Sequence, residues 1–186
     1  MFAPWTFSRS QRTVRNRLAV AAMTNMQSHP DGRLHPDELH WLKMRAEGGF
    51  GIVTTCAAHV QPGGQGWPGE LGVFDDRLLP GLTQLAGAIG GAGALGLVQL
   101  FHGGQRAPAS LTGQQPWSAT AYHVERTNFE APRTAKAGDI LGVIEAFAAA
   151  AARCEAAGFD GVELHGAHGY LLAQFLGRHA NTRTDP

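Results

Sequence analysis

Asp139-Ile-Leu-Gly-Val-Ile-Glu-Ala-Phe-Ala-Ala-Ala-Ala-Ala-Arg-Cys-Glu-Ala-Ala-Gly-Phe-Asp-Gly-Val-Glu-Leu-His165 reads as a helix, a stop and a strand in one line. Asp139 can cap the helix, Ile140, Ile144, Phe147, Ala151 and Cys154 fall on one apolar stripe, and Gly158 ends it. Phe159 to Leu164 has strand character, and an imidazole follows at once. The same unit recurs upstream. Pro36-Asp37-Glu38 opens a helix with Leu39, Leu42 and Ala46 on one face; Gly48-Gly49 stops it, and Phe50 to Ala57 is a strand rich in β-branched residues. Leu82, Leu85, Ala86 and Ile89 keep helical spacing up to Gly90-Gly91, and Ala94 to Leu100 is the next strand. Arg17 to Met23, an apolar run of strand length, stands ahead of them all. Continuous apolar strands joined by helices predict a parallel sheet covered on both faces.

No G-x-G-x-x-G follows the first strand, which leaves a dinucleotide-binding doubly wound unit poorly supported. The polar and unusual residues gather instead just after the strands: Met23 and Thr24, Ala57 and His59, Gln99 and His102, His165 and His168. A parallel barrel builds its active site there, at the C-terminal ends of its strands. The expected fold is α/β, a (β/α)8 TIM barrel. A complete one takes about 250 residues, so residues 1–186 supply roughly the first four βα units. Residues 101–138 contain Pro108, Pro116 and Pro132 and show little periodicity. They form a long loop, read either as a lid over the mouth or as a disordered excursion.

Composition narrows the function. The 186 residues carry 15 basic and 15 acidic side chains, which argues against nucleic acid or an anionic membrane as the main partner. The 25 glycines and 10 prolines lie between apolar runs, so neither disorder nor collagen is indicated. Cys56 and Cys154 are far apart and lack zinc-type spacing. Met1 to Ser10 has no apolar signal region, and no run approaches the ~18 apolar residues of a membrane span. A soluble protein of a reducing compartment, the cytoplasm, is the expectation.

Chemistry concentrates in Glu163-Leu-His165-Gly-Ala-His168-Gly-Tyr170. Two imidazoles can donate hydrogen bonds to one carbonyl or nitro oxygen, and a phenol can protonate a carbanion-like carbon. A purely polar turn is the plain alternative. A metal site would need a third ligand that the motif does not supply. Gln99 is an amide in an otherwise apolar strand, and it needs either backbone partners or a flat heterocycle with donors and acceptors. Met23 and Thr24 are unremarkable taken singly. Cys56, His59 and His102 read equally well as satisfied structural residues.

Taken together, Ala21 to Thr24, Asp31 to Leu34, Gly49 to Val53, Val98 to Arg106, Ala157 to Leu176 and Asn181 to Asp185 resemble, in order, the Old Yellow Enzymes. These are FMN-dependent NAD(P)H oxidoreductases and ene-reductases. The resemblance implies FMN across a barrel mouth, NAD(P)H as reductant, and reduction of the activated C=C bond of α,β-unsaturated carbonyl or nitro compounds. It implies that Ala22, Met23, Thr24, Ala57, Gln99 and His165 contact the flavin. It further implies that His165 and His168 grip the substrate's electron-withdrawing group and that Tyr170 delivers the proton. It also implies small-molecule substrates and a homo-oligomer. Ala22 stands where the family usually has proline. The chain ends at Pro186, where relatives continue through four more strands carrying an arginine on the flavin ring and the phosphate site. An inactive half-barrel that self-associates or docks on a partner is the competing expectation, and a metal-dependent barrel hydrolase is a third.

Overall fold

Four parallel strands form the centre of the molecule, in a computed structural model that describes residues 1–121 and 130–185. In chain order the strands are β1 (Trp5–Thr6), β2 (Thr13–Val14), β3 (Ala19–Val20), β4 (Ile52–His59), β5 (Leu71–Gly72), β6 (Leu95–Phe101), β7 (Trp117–Ser118), β8 (Arg133–Thr134) and β9 (Gly161–Leu164). The helices are α1 (Pro36–Glu47), α2 (Leu79–Gly91), α3 (Ala109–Thr112), α4 (Ala137–Ala157) and α5 (Leu171–Leu176). The main sheet runs β3-β4-β6-β9, all parallel, and β5 adds to the C-terminal end of β4.

Helices α1, α2 and α4 lie against one face only. Leu42 and Ala46 of α1, Leu82, Leu85 and Ile89 of α2, and Ala150, Cys154 and Ala157 of α4 share one core with Val53, Val98, Leu100 and Phe159. This corrects the expectation of a sheet covered on both faces, and it is the distinction between a barrel wall and a doubly wound sheet. Along β6 the alternation is plain. Gly96, Val98 and Leu100 are buried towards the helices, while Leu95, Leu97 and Gln99 look to the other side and stay half-buried.

Local chemistry sets the boundaries. Pro36 occupies the first turn of α1, Asp37 and Glu38 sit at its positive end, and the His35 side chain accepts from the Asp37 N–H. Helix α4 ends at Gly158, whose φ of 94° admits glycine readily, with its N–H turned back to Cys154 and Glu155. The Arg15 guanidinium gathers the carbonyls of Ala46, Phe50 and Ala92, joining the end of α1 to the approaches of β4 and β6.

Several sequence expectations shift. The first strand is reduced to Ala19–Val20, and an antiparallel β1-β2 ladder precedes it. Asp139 does not cap α4 as the N-cap residue. It lies in the first turn, accepts the Lys136 N–H at 2.7 Å and pairs with Arg133. The buried stripe of α4 is Val143, Ala150, Cys154 and Ala157, and Ile144 is 59% exposed. Spacing alone fits either stripe, and packing against α2 and the sheet selects one. The 101–138 segment contains a 3₁₀ turn (Gly104–Arg106), α3 and the parallel β7-β8 ladder. The part of the lid expectation that falls on residues 122–129 lies outside the described residues.

Beyond β9 the wall is open. Val162 and Leu164 pair in register with Val98 and Leu100, so they face the helix layer, yet Leu164 is 59% exposed. Leu141 and Ile144 of α4 are exposed as well.

Candidate active site

The C-terminal ends of the strands converge because a parallel sheet points them all one way. Ala57 of β4, Gln99 of β6 and Glu163 of β9 stand in one row across the sheet. An irregularity in β4 between Thr54 and Ala57 sets this register, and the Thr55 hydroxyl there accepts the Gln99 N–H at 3.3 Å. The Gln99 side-chain amide donates to Glu163 Oε1 at 2.5 Å. Sequence reasoning gave Glu163 no role; its place one residue before the strand's last position was the available signal.

After β9 the chain turns sharply. The His165 N–H reaches the Leu100 carbonyl at 3.0 Å, His168 adopts φ 57° and Gly169 φ 70°. The turn brings the three expected catalytic side chains together. The rings of His165 and His168 lie 5.1 Å apart, and Tyr170 is 5.0 Å from His165 and 6.5 Å from His168. His165 Nδ1 accepts the Ala167 N–H at 3.4 Å, which assigns the ring proton to Nε2 and makes that nitrogen a donor. Burial lowers the His165 pKa and His168 lowers it further, against the opposing pull of Glu163, so the neutral imidazole is favoured. Behind Tyr170 stand the fully buried Phe101, edge-on at 4.5 Å, and Trp67 at 6.4 Å.

Ala22, Met23 and Thr24 follow β3 on the neighbouring rim. Met23 lines a hollow of about 540 Å³ on the outer edge, together with Met44 and Phe50. Their loop is anchored by the buried Glu38 of α1, which accepts from the Ser28 hydroxyl; burial raises its pKa. Cys56 and Cys154 are buried free thiols, and burial pushes Cys154 up to about 12.

His59 and His102 are not at the surface of the site. His102 is buried against Trp117, its Nδ1 accepts the Gly104 N–H at 3.0 Å, and burial pushes its pKa down to about 3. His59 stacks on Phe74 with Nδ1 4.0 Å from the buried Glu70, and burial takes it to about 4. Among the described residues no three His, Cys, Asp or Glu side chains come together as a metal site, and no helix is long and apolar enough to cross a membrane.

A His–His–Tyr cluster thus stands at the C-terminal end of a parallel sheet backed by helices on one face. Residues 1–186 match the NADH:flavin oxidoreductase / NADH oxidase family throughout. The chain is 40% identical over its whole length to a probable NADH-dependent flavin oxidoreductase, YqiG, of Bacillus subtilis, and covers 49% of that protein. The structure superposes on the Old Yellow Enzyme homologue of Zymomonas mobilis with a TM-score of 0.90 at 27% identity, covering 99% of this chain and 53% of that one. It superposes on a 2-naphthoyl-CoA reductase with a TM-score of 0.94 at 30% identity, covering 99% of this chain and 30% of that one. The chain belongs to the NADH:flavin oxidoreductase / NADH oxidase family, whose enzymes use FMN and NAD(P)H. It spans about half the length of YqiG, and the fold is the corresponding part of a TIM barrel.

Proposed function

We propose that residues 1–186 are the N-terminal half of an FMN-dependent oxidoreductase that takes hydride from NAD(P)H and reduces the activated C=C bond of an α,β-unsaturated carbonyl or nitro compound. The observation that carries this reading is the single turn that sets His165, His168 and Tyr170 ring against ring. The row beside it fits a flat heterocycle. Ala57 offers only a methyl group, next to the half-buried amide of Gln99 and the Glu163 carboxylate. In this reading Ala57 admits the flavin ring, Gln99 pairs with its polar edge, His165 flanks it, and Ala22, Met23 and Thr24 line the near rim.

FMN, held by Ala57, Gln99, His165 and the Ala22–Thr24 rim, would supply the two-electron hydride chemistry that links NAD(P)H to the activated C=C bond. The protein's own groups do the rest. His165, through Nε2–H, and a ring N–H of His168 donate to the carbonyl or nitro oxygen and stabilise the charge that develops there. Tyr170 gives its proton to the α-carbon and recovers one from solvent, so hydride plus proton balance the reduction. The described part of residues 101–138 is proposed as a lid, since Arg106 of that segment donates to the His168 carbonyl in the turn after β9. The protein is proposed to be cytoplasmic and homo-oligomeric.

A second reading is supported by the open wall beyond β9: a catalytically silent half-barrel that works by pairing or docking. Titration of the 186-residue chain with FMN, followed by flavin absorbance beside its size in solution, separates the two. Stoichiometric binding with turnover of NAD(P)H and an enone supports the oxidoreductase. A folded chain that binds no flavin supports the silent module.

A further inference from the structure

The turn carrying His168 and Tyr170 is held in shape by side chains that lie outside it. His168 sits at φ 57°, a conformation that a side-chain-bearing residue adopts only when its surroundings impose it. Gln174 of α5, almost fully buried, donates to the Gly169 carbonyl at 2.8 Å and to the Gly103 carbonyl at 3.3 Å; its oxygen accepts the Gln105 N–H at 3.2 Å. The Leu171 N–H reaches the His102 carbonyl at 3.0 Å. The loop after β6 and the loop after β9 are therefore stitched into one unit.

Arg106 belongs to the first loop and acts on the second. Its Nη1 donates to the carbonyl of His168, and its guanidinium carbon lies 4.7 Å from the centroid of the Tyr170 ring. One side chain thus touches both the backbone that aims the second imidazole and the face of the phenol. On its other sides the half-buried Tyr170 meets Phe101 at 4.5 Å and His165 at 5.0 Å. Arginine suits the position because a planar guanidinium can donate along its edge while presenting its face to a ring; a lysine ammonium can do only one of these at a time.

We propose that Arg106 is a positioning residue for the proton donor, holding the Tyr170 phenol and the His168 imidazole in mutual register across the two loops. The proposal rests on the oxidoreductase reading for its consequence in catalysis, but not for the geometry itself. Arg106 is only partly buried, so its replacement leaves no core cavity.

The test compares Arg106→Gln and Arg106→Lys with the unaltered chain by two readouts. In the FMN-loaded protein, the rate of flavin reduction by NADPH should stay within about twofold. Reoxidation by 2-cyclohexenone should slow about tenfold or more in Arg106→Gln and less in Arg106→Lys, in keeping with the rate cost of a small misplacement. A merely structural role would slow both half-reactions together. The second readout needs no flavin. The chain has two tyrosines, Tyr122 and Tyr170, so ¹³C-labelled tyrosine with a Tyr122→Phe variant for assignment isolates the Tyr170 signal. That signal should shift or split in Arg106→Gln while far-UV circular dichroism is retained. An unmoved Tyr170 signal, or equal loss in both half-reactions, overturns the proposal. If the unaltered chain neither binds FMN nor reacts with enone, the functional reading fails, and the tyrosine spectrum alone decides whether Arg106 holds the turn.

Discussion

At the residue scale the proposed site is a set of hydrogen-bond and proton donors. In the proposed reading, His165→Ala should weaken the binding of substrate and of phenolic ligands about tenfold or more while FMN stays bound, because Ala57, Gln99 and the Ala22–Thr24 rim still hold the ring. A titration of the flavin spectrum with a phenol measures it. Tyr170→Phe should slow alkene reduction about 10²-fold and leave flavin reduction nearly unchanged; equal loss in both half-reactions, read by stopped flow, would defeat the proton-donor role. The buried imidazoles give a pH signature. The folded-state pKa values of His102, about 3, and His59, about 4, lie below the unfolded value near ~6.5. Between those values the unfolded chain binds more protons, so this contribution is present above about pH 6.5 and is lost as pH falls. Glu38 and Glu70 have raised pKa values and act the other way, losing stability as pH rises from about 4.5. Replacing His102 by Asn, which can still accept the Gly104 N–H, should remove about 2 kcal/mol of the acid sensitivity between pH 7.5 and pH 5. Urea midpoints at the two pH values report it.

Among the elements, termini matter more than interiors. Gly158 ends α4 at φ 94°, and a side chain there is strained although its surroundings are open. Gly158→Ala should cost about 1 kcal/mol in denaturant unfolding, a purely conformational effect. Arg15 presents the stronger case, since its loss would take a donor from the carbonyls of Phe50, Ala92 and Ala46, of which Ala46 still accepts the Gly49 N–H. Arg15→Ala should cost about 3 kcal/mol by the same measurement, because unsatisfied backbone groups are expensive. The α1 start and the α2 face follow directly from their residues: Pro36, Asp37 and Glu38 suit a first turn, and Leu82, Leu85 and Ile89 recur at helical spacing. The α4 stripe does not follow in the same way. Ile144 and Val143 are equally apolar, and only the positions of α2 and β9 decide which is buried.

For the whole molecule, the wall ends abruptly. Ile144 of α4 and Leu164 of the edge strand β9 are both exposed. The isolated chain should therefore self-associate through this face. Ile144→Lys with Leu164→Lys should shift it to monomer in sedimentation velocity, while a chain that is monomeric before substitution would show that the open face does not drive pairing.

The sequence by itself determined the order of the four central strands and of α1, α2 and α4, the absence of a Rossmann fingerprint and the cluster of His165, His168 and Tyr170, because periodicity, stop signals and short-range motifs are local properties. It also pointed to the family through residues spread from Ala21 to Asp185. Tertiary structure decided the rest. Helices on one face only, the row from Ala57 to Glu163, the burial of His59 and His102, and the reach of Arg106 to Tyr170 all join residues distant in sequence. Such pairings depend on strand register and on how helices pack, and no local pattern of residues encodes either one.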